Sequence, residues 1–365
     1  MIILLVFLTV ILGIMDGLNN AANALGWALG GRTLTLKRAL LIASISQLVG
    51  GLVLGVRIIN TISYELLLNL EVLDTVITPL AVCISTIIWS AVASIIRIPI
   101  SFSMAVIGSI IGAVVGYSAS YINWSVVLNI FTGWIVAFFA SAAFTLILLR
   151  LNDGIGRHWR VGLFIRGLFI AILLALLISQ SLHFSTPDIP VQALYIFILL
   201  YPVLHIIFRY NEGISTVTPL LLISMIHGAN DSALIASILM LSKLGECWSQ
   251  FFVLIPAIGI AVGTLMWGHR IANTFAGSIA FLDVRYVNVV YLSKFISMSI
   301  LLVLGLPTPI SLVTIGALMG FSAHRGLDSV RVNYAAKITL ATIASTPVCI
   351  GLSCAAMTAI KSVIS

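Results

Sequence analysis

Six polar residues set in a long apolar run constrain this chain more than any other stretch. His227-Gly228-Ala229-Asn230-Asp231-Ser232 interrupts hydrophobic sequence that begins near Ile214 and resumes from Ala233 to Leu241. An aspartate at the centre of a membrane helix costs roughly 3 kcal/mol on insertion scales. A residue that costly is kept where it faces a cavity, a partner or an ion. A short turn outside the membrane would carry the same residues, but the polar island is brief and its apolar flanks are long.

The remainder of the chain supports the membrane reading. Of 365 residues, 61% are hydrophobic and 8% charged, with a mean hydropathy of +1.21. Soluble domains carry about 25% charged residues, so the sequence describes an all-α, multi-pass protein of the cell membrane. At about 20 residues per span, there is room for roughly ten to twelve transmembrane segments. The net charge of +7 collects in short connections such as Arg32, Lys37 and Arg38. The positive-inside rule expects that placement, and nucleic acid is not implied as a partner. Cys83, Cys247, Cys349 and Cys354 have no CxxC or histidine spacing and read as small buried hydrophobes. The first seventeen residues lack a basic leader and a small-residue cleavage site, so they read as a first span and not as a signal peptide.

Two pairs of segments match one another. Gly17-Leu18-Asn19-Asn20-Ala21-Ala22 aligns with Gly228-Ala229-Asn230-Asp231-Ser232-Ala233. Downstream, Pro99, Ser103, Ile107, Gly108 and Gly112 align with Pro307, Ser311, Ile315, Gly316 and Gly320. The distance from glycine to proline is 82 residues in the first case and 79 in the second. Order and spacing together divide the chain. Residues 1–151 form a first transmembrane repeat and residues 211–365 a second. Residues 152–210 hold a cytoplasmic loop and two plain scaffold spans. Paired interrupted segments in two inverted-topology halves, with broken or re-entrant helices, are the sequence pointer to a secondary transporter. Broken helices turn N–H groups toward an anion, and their carbonyls and carboxamides suit a cation. Gly108 and Gly112 make a GxxxG step that favours close helix packing.

These residues resemble the inorganic phosphate transporter family of the sodium- or proton-coupled type. Its repeated GANDVANA-like motif is matched by GANDSALIA at 228–236 and, in variant form, by GLNNAANA at 17–24. The stretches GLP at 305–307 and WGHRIANTFAGSIAFLD at 267–283, with Thr346-Pro347 in the last span, are also family-like. The chain departs from the family in four places. Asn20 stands where the first motif has aspartate, and Leu234 where the second has asparagine. The family's S-T-T-H segment reads Ser101-Phe102-Ser103-Met104 in one half and Pro309-Ile310-Ser311-Leu312 in the other.

The resemblance implies an oxyanion permease, phosphate first, coupled to Na+ or H+ and needing no other cofactor. Sulfate or another oxyanion fits the same fold, as does a degenerate member that no longer transports. The cation, Na+ included, is expected at Asp231 with Asn230, Asn19, Asn20 and Asp16. The anion is expected at Ser101, Ser103, Ser311, Ser232 and Asn23. Neutral donors suit an oxyanion that must be released. His227 is a neighbour of Asp231 in any proton pathway. An enzyme would need a polar cluster at an interface, and the dense connection at 150–166 offers only Asp153 and His158 amid arginines. The partners expected are therefore the anion, the cation and the lipid bilayer, with a homodimer allowed.

Overall fold

The computed structural model describes residues 2–54, 56–68, 76–154, 212–242, 249–278 and 284–364. The two scaffold spans, the basic loop beyond Gly154 and Cys247 lie outside the described residues. The secondary structure described is helical, with one isolated bridge between Leu67 and Ile122. Lipid supplies no partner for a backbone amide, so each spanning segment must close its own hydrogen bonds.

The first half contains α1 (Ile2–Gly30), α2 (Leu36–Leu54), the short α3 (Val56–Asn60), α4 (Ile77–Ile95), α5 (Phe102–Val115) and α6 (Trp124–Gly154). The second contains α7 (Glu212–Met240), α8 (Ser249–Trp267), the amphipathic α9 (His269–Ser278), α10 (Val284–Val303), α11 (Ile310–Arg325) and α12 (Val332–Ile364). Among the described residues seven helices are long and apolar enough to cross a membrane; α5 and α8 supply shorter apolar helices. This is a multi-pass membrane protein. Its centre is formed by α7 and α10, which are almost wholly buried, whereas α6 and α12 turn most of their surface outward.

The halves interlock through small residues. A side chain at Gly108 or Gly112 of α5 would strike the Thr346 and Ile350 carbonyls of α12. In the other half, Gly316 and Gly320 of α11 rest on the Phe138 and Ala142 carbonyls of α6. The GxxxG step therefore brings two backbones together, as its spacing predicts. Gly13 and Gly17 of α1 pack on Pro256 and Ile260 of α8, and Gly228 of α7 packs on Gln47 of α2. The rising numbers show that α1 and α8 run parallel. Successive spans joined by a short turn run antiparallel. The parallel pairing of the first helix of one half with the second helix of the other is therefore the signature of inverted repeats.

One expectation changes in detail. The polar motifs do not break their helices, because α1 and α7 run through them without interruption. The interruptions fall at the prolines. Residues 98–101 and 304–309 carry no helix, and the 14-residue α5 and 16-residue α11 begin behind them. Proline favours extended backbone in the residue before it and removes an amide donor. Those two segments, not the Asn-rich motifs, supply the re-entrant geometry.

Candidate functional site

Asp16, Asn19, Asn20 and Asn23 are spaced i, i+3, i+4 and i+7 along α1, which sets them on one face. His227, Asn230 and Asp231 do the same on α7. All seven side chains are buried, and the two faces meet at the centre of the protein.

Asn20 donates to Asp16 Oδ1 at 2.6 Å and to Asp231 Oδ2 at 3.3 Å. His227 Nε2 lies 2.9 Å from Asp231 Oδ2 and 3.4 Å from Asp16 Oδ2. On the opposite edge of the ring, Gln47 of α2 contacts Nδ1 at 2.9 Å. Asp16, His227 and Asp231 offer ligand atoms within 4.8 Å of one another. Asp16 Oδ2 and His227 Nε2 make no well-formed hydrogen bond among the described residues. Two buried carboxylates repel and lose their hydration, which leaves the pair in need of a compensating positive charge. A proton carried on His227, or a cation held by the two carboxylates and Asn20, would offset them.

Beside this cluster, α5 and α11 meet through crossed pairs. Ser103 of α5 lies 2.8 Å from Asp231 Oδ1 and 3.3 Å from the Thr308 carbonyl, which precedes α11. Ser311 of α11 donates to the Ile100 carbonyl, which precedes α5, at 2.8 Å. It also accepts from Asn23 Nδ2 at 2.8 Å. Each short helix therefore begins against the segment leading into the other. Their N-termini converge, and helix N-termini favour negative charge.

Asn19 and Asn230 pin these segments. Asn19 Oδ1 accepts from the Ile100 amide at 2.9 Å, and its Nδ2 donates to the Ile98 carbonyl at 3.3 Å. Asn230 Oδ1 accepts from the Thr308 amide at 2.7 Å, and its Nδ2 reaches the Thr308 carbonyl at 3.0 Å. Asn230 also donates to Ser103 Oγ at 2.9 Å and Asp231 Oδ1 at 2.6 Å. Asn19 bonds to its own re-entrant segment and not to Asp231.

The structure thus brings together Asp16, Asn20, Asn23, Ser103, Asn230, Asp231 and Ser311. Two expected anion residues turn to their own helices. Ser101 caps α5 by accepting from the Met104 amide at 3.2 Å, and Ser232 donates to the Gly228 carbonyl at 2.5 Å. Sequence reasoning missed Gln47, Thr308, Tyr291 and Lys294. The last carried a legible signal, a lysine midway along an apolar span; the others carried none beyond polarity.

Comparison with known proteins places the chain as a whole. The sequence model of the phosphate transporter family matches residues 16–353. A provisionally named phosphate permease of Thermococcus kodakarensis is 23% identical, the alignment covering 91% of each chain. One of Chlamydia muridarum is 25% identical over 92% of this chain and 93% of its own. One of Helicobacter pylori is 27% identical over 87% of this chain and 68% of its own. Among solved structures, "The sodium-dependent phosphate transporter" superposes with a TM-score of 0.87 at 20% identity. The superposition covers 99% of this chain and 98% of that one, and it establishes a shared fold.

Proposed function

The chain belongs to the phosphate transporter family, a family of transporters and not of enzymes, and on that footing we propose that it carries inorganic phosphate in symport with a monovalent cation, H+ or Na+. The observation that carries this reading is the abutment of two opposite sites. Converging N-termini with Ser103 and Ser311 suit an oxyanion. Directly against them, Asp16, His227 and Asp231 suit a cation.

The chemistry links the two. Ser103 lies against both the Asp231 carboxylate and the segment before α11. A cation at Asp231 neutralises the carboxylate and frees the Ser103 hydroxyl to donate to an anion. Without the cation, Asp231 holds the hydroxyl and repels the anion. Binding of either ion thereby favours the other, which is the reciprocal coupling a symporter requires. Among the described residues the donors are neutral and no buried arginine clamps them, which favours release. Alternating access follows from movement of one half against the other about the crossed serine pairs.

The test is uptake of labelled phosphate into proteoliposomes with a pH gradient or a sodium gradient imposed separately. Phosphate accumulation driven by at least one gradient supports the reading. Accumulation of labelled sulfate with none of phosphate would replace the anion, and uptake of neither would contradict transport.

A further inference from the structure

Lys294 lies midway along α10, fully buried, at the centre of the bundle. A charged residue at such depth is expected to have a partner or a task. Yet Lys294 pairs with no carboxylate among the described residues. Its ammonium donates to the backbone carbonyl of Asn23 at 2.6 Å. Asn23 belongs to the first motif, and its side chain joins Asn20 Oδ1 at 3.1 Å and Ser311 Oγ at 2.8 Å. The side-chain oxygen of Asn23 is buried with no hydrogen-bond partner.

One residue further along α1, the Tyr291 hydroxyl donates to the Ala24 carbonyl at 2.5 Å and accepts from the Ala28 amide at 2.9 Å. Ala24 and Ala28 are the two ends of one helical hydrogen bond. The Tyr291 hydroxyl has inserted between them. Two successive carbonyls of α1, those of Asn23 and Ala24, are thus held by side chains one turn apart on α10. Backbone carbonyls next to a binding motif are what a transporter offers to a coupling cation. Here an ammonium takes that position.

The internal repeat explains why the first half tolerates it. Asn20 of α1 stands 211 residues before Asp231, so the carboxylate of the second half has a neutral amide as its counterpart. Thr86 of α4 precedes Lys294 by 208 residues, the separation of Pro99 from Pro307. It is buried and bonds within its own region, donating to Val82 and contacting Ser109. The half that lacks a motif carboxylate is therefore the half whose motif meets a lysine.

We propose that Lys294 is a built-in cation. Its ammonium takes the place of one mobile coupling ion at the first motif and supplies fixed positive charge beside the anion site. This proposal rests on the phosphate-symport reading, and the following variants separate the two. Purified chains would be reconstituted in proteoliposomes and phosphate uptake measured against phosphate, sodium and proton concentration. Lys294→Met is expected to raise the KM for phosphate about tenfold, and Lys294→Arg to restore most of that loss. The pair Asn20→Asp with Lys294→Thr uses residues the chain already holds at the equivalent positions of the other half. It is expected to raise the Hill coefficient for the driving cation by about one. Unchanged phosphate KM in folded Lys294→Met overturns the proposal. Should that variant not fold, unchanged cation dependence in the double variant does the same. Absence of phosphate uptake by the wild-type chain would instead overturn the functional reading.

Discussion

Asn20 and Asp231 occupy the same position in the two halves and face each other, the Asn20 amide donating to the Asp231 carboxylate at 3.3 Å. The pseudo-symmetric axis of the protein thus runs close to one hydrogen bond between a neutral residue and a charged one. Symmetric aspartates at that separation would need an additional cation between them. Asp16, one turn before Asn20, restores a second carboxylate from an asymmetric direction, and His227 lies against both acids.

Asp16 is expected to matter for coupling more than for the fold. Asp16→Asn removes one of two charges facing His227 while retaining the contact to Asn20. Phosphate uptake by Asp16→Asn should lose its dependence on the cation gradient and fall about tenfold or more. Gradient-dependent uptake at the wild-type rate would remove Asp16 from the cation site.

The crossed serines should behave as a pair. Ser103→Ala and Ser311→Ala each remove a hydroxyl that links a short helix to the opposite segment. Each is expected to raise the KM for phosphate about fivefold to thirtyfold, at roughly 1–2 kcal/mol per lost hydrogen bond. Ser232→Ala, whose hydroxyl bonds within α7, should leave the KM within about twofold. An equal effect at all three positions would argue against the geometric distinction.

Asn19 and Asn230 are structural fasteners for the re-entrant segments. Substitution of either by alanine takes the side-chain acceptor from a buried backbone amide, that of Ile100 or of Thr308, a cost of about 1–3 kcal/mol. Thermal unfolding of detergent-purified protein should show a lowered midpoint for both. Asn230→Ala should be the more harmful to transport, because Asn230 also donates to Ser103 and Asp231. Indistinguishable transport by the two variants would contradict that asymmetry.

Close helix packing gives a prediction independent of function. Gly112→Val places two methyl groups against the Ile350 carbonyl, where even one Cβ collides with backbone. Overpacking of this kind costs about 1–3 kcal/mol or more. Size-exclusion profiles of Gly112→Val should show aggregation or a sharply reduced yield. Gly351→Ala, whose added carbon meets nothing within 4 Å, should behave as wild type.

Much of this was legible in the sequence because its cause is local. The apolar runs, the two motifs and the paired prolines specify spans and an internal repeat through composition and spacing alone. Asp231, Asn20, Ser103 and Ser311 could be named because each sits in a repeated motif. The direction of each hydrogen bond could not be read, since it depends on contacts between residues 78 to 288 positions apart. That is why the bonds of Ser101 and Ser232 within their own helices could not be foreseen. Unbroken helices through the asparagine motifs were also hidden. Glycine and asparagine have poor helix propensity, but burial against α2 and α8 overrides it, with Gly17 and Gly228 permitting the approach.

Labelled phosphate uptake by Asp231→Asn, in parallel with wild type in the same proteoliposomes, tests the central claim most directly. The substitution is nearly isosteric, keeps an oxygen to accept from Ser103 and removes the charge that couples cation to anion. Phosphate accumulation should fall at least about a hundredfold, on the scale of a lost buried charge pair, with the variant still folded. Accumulation at the wild-type rate and with the wild-type cation dependence would contradict the account.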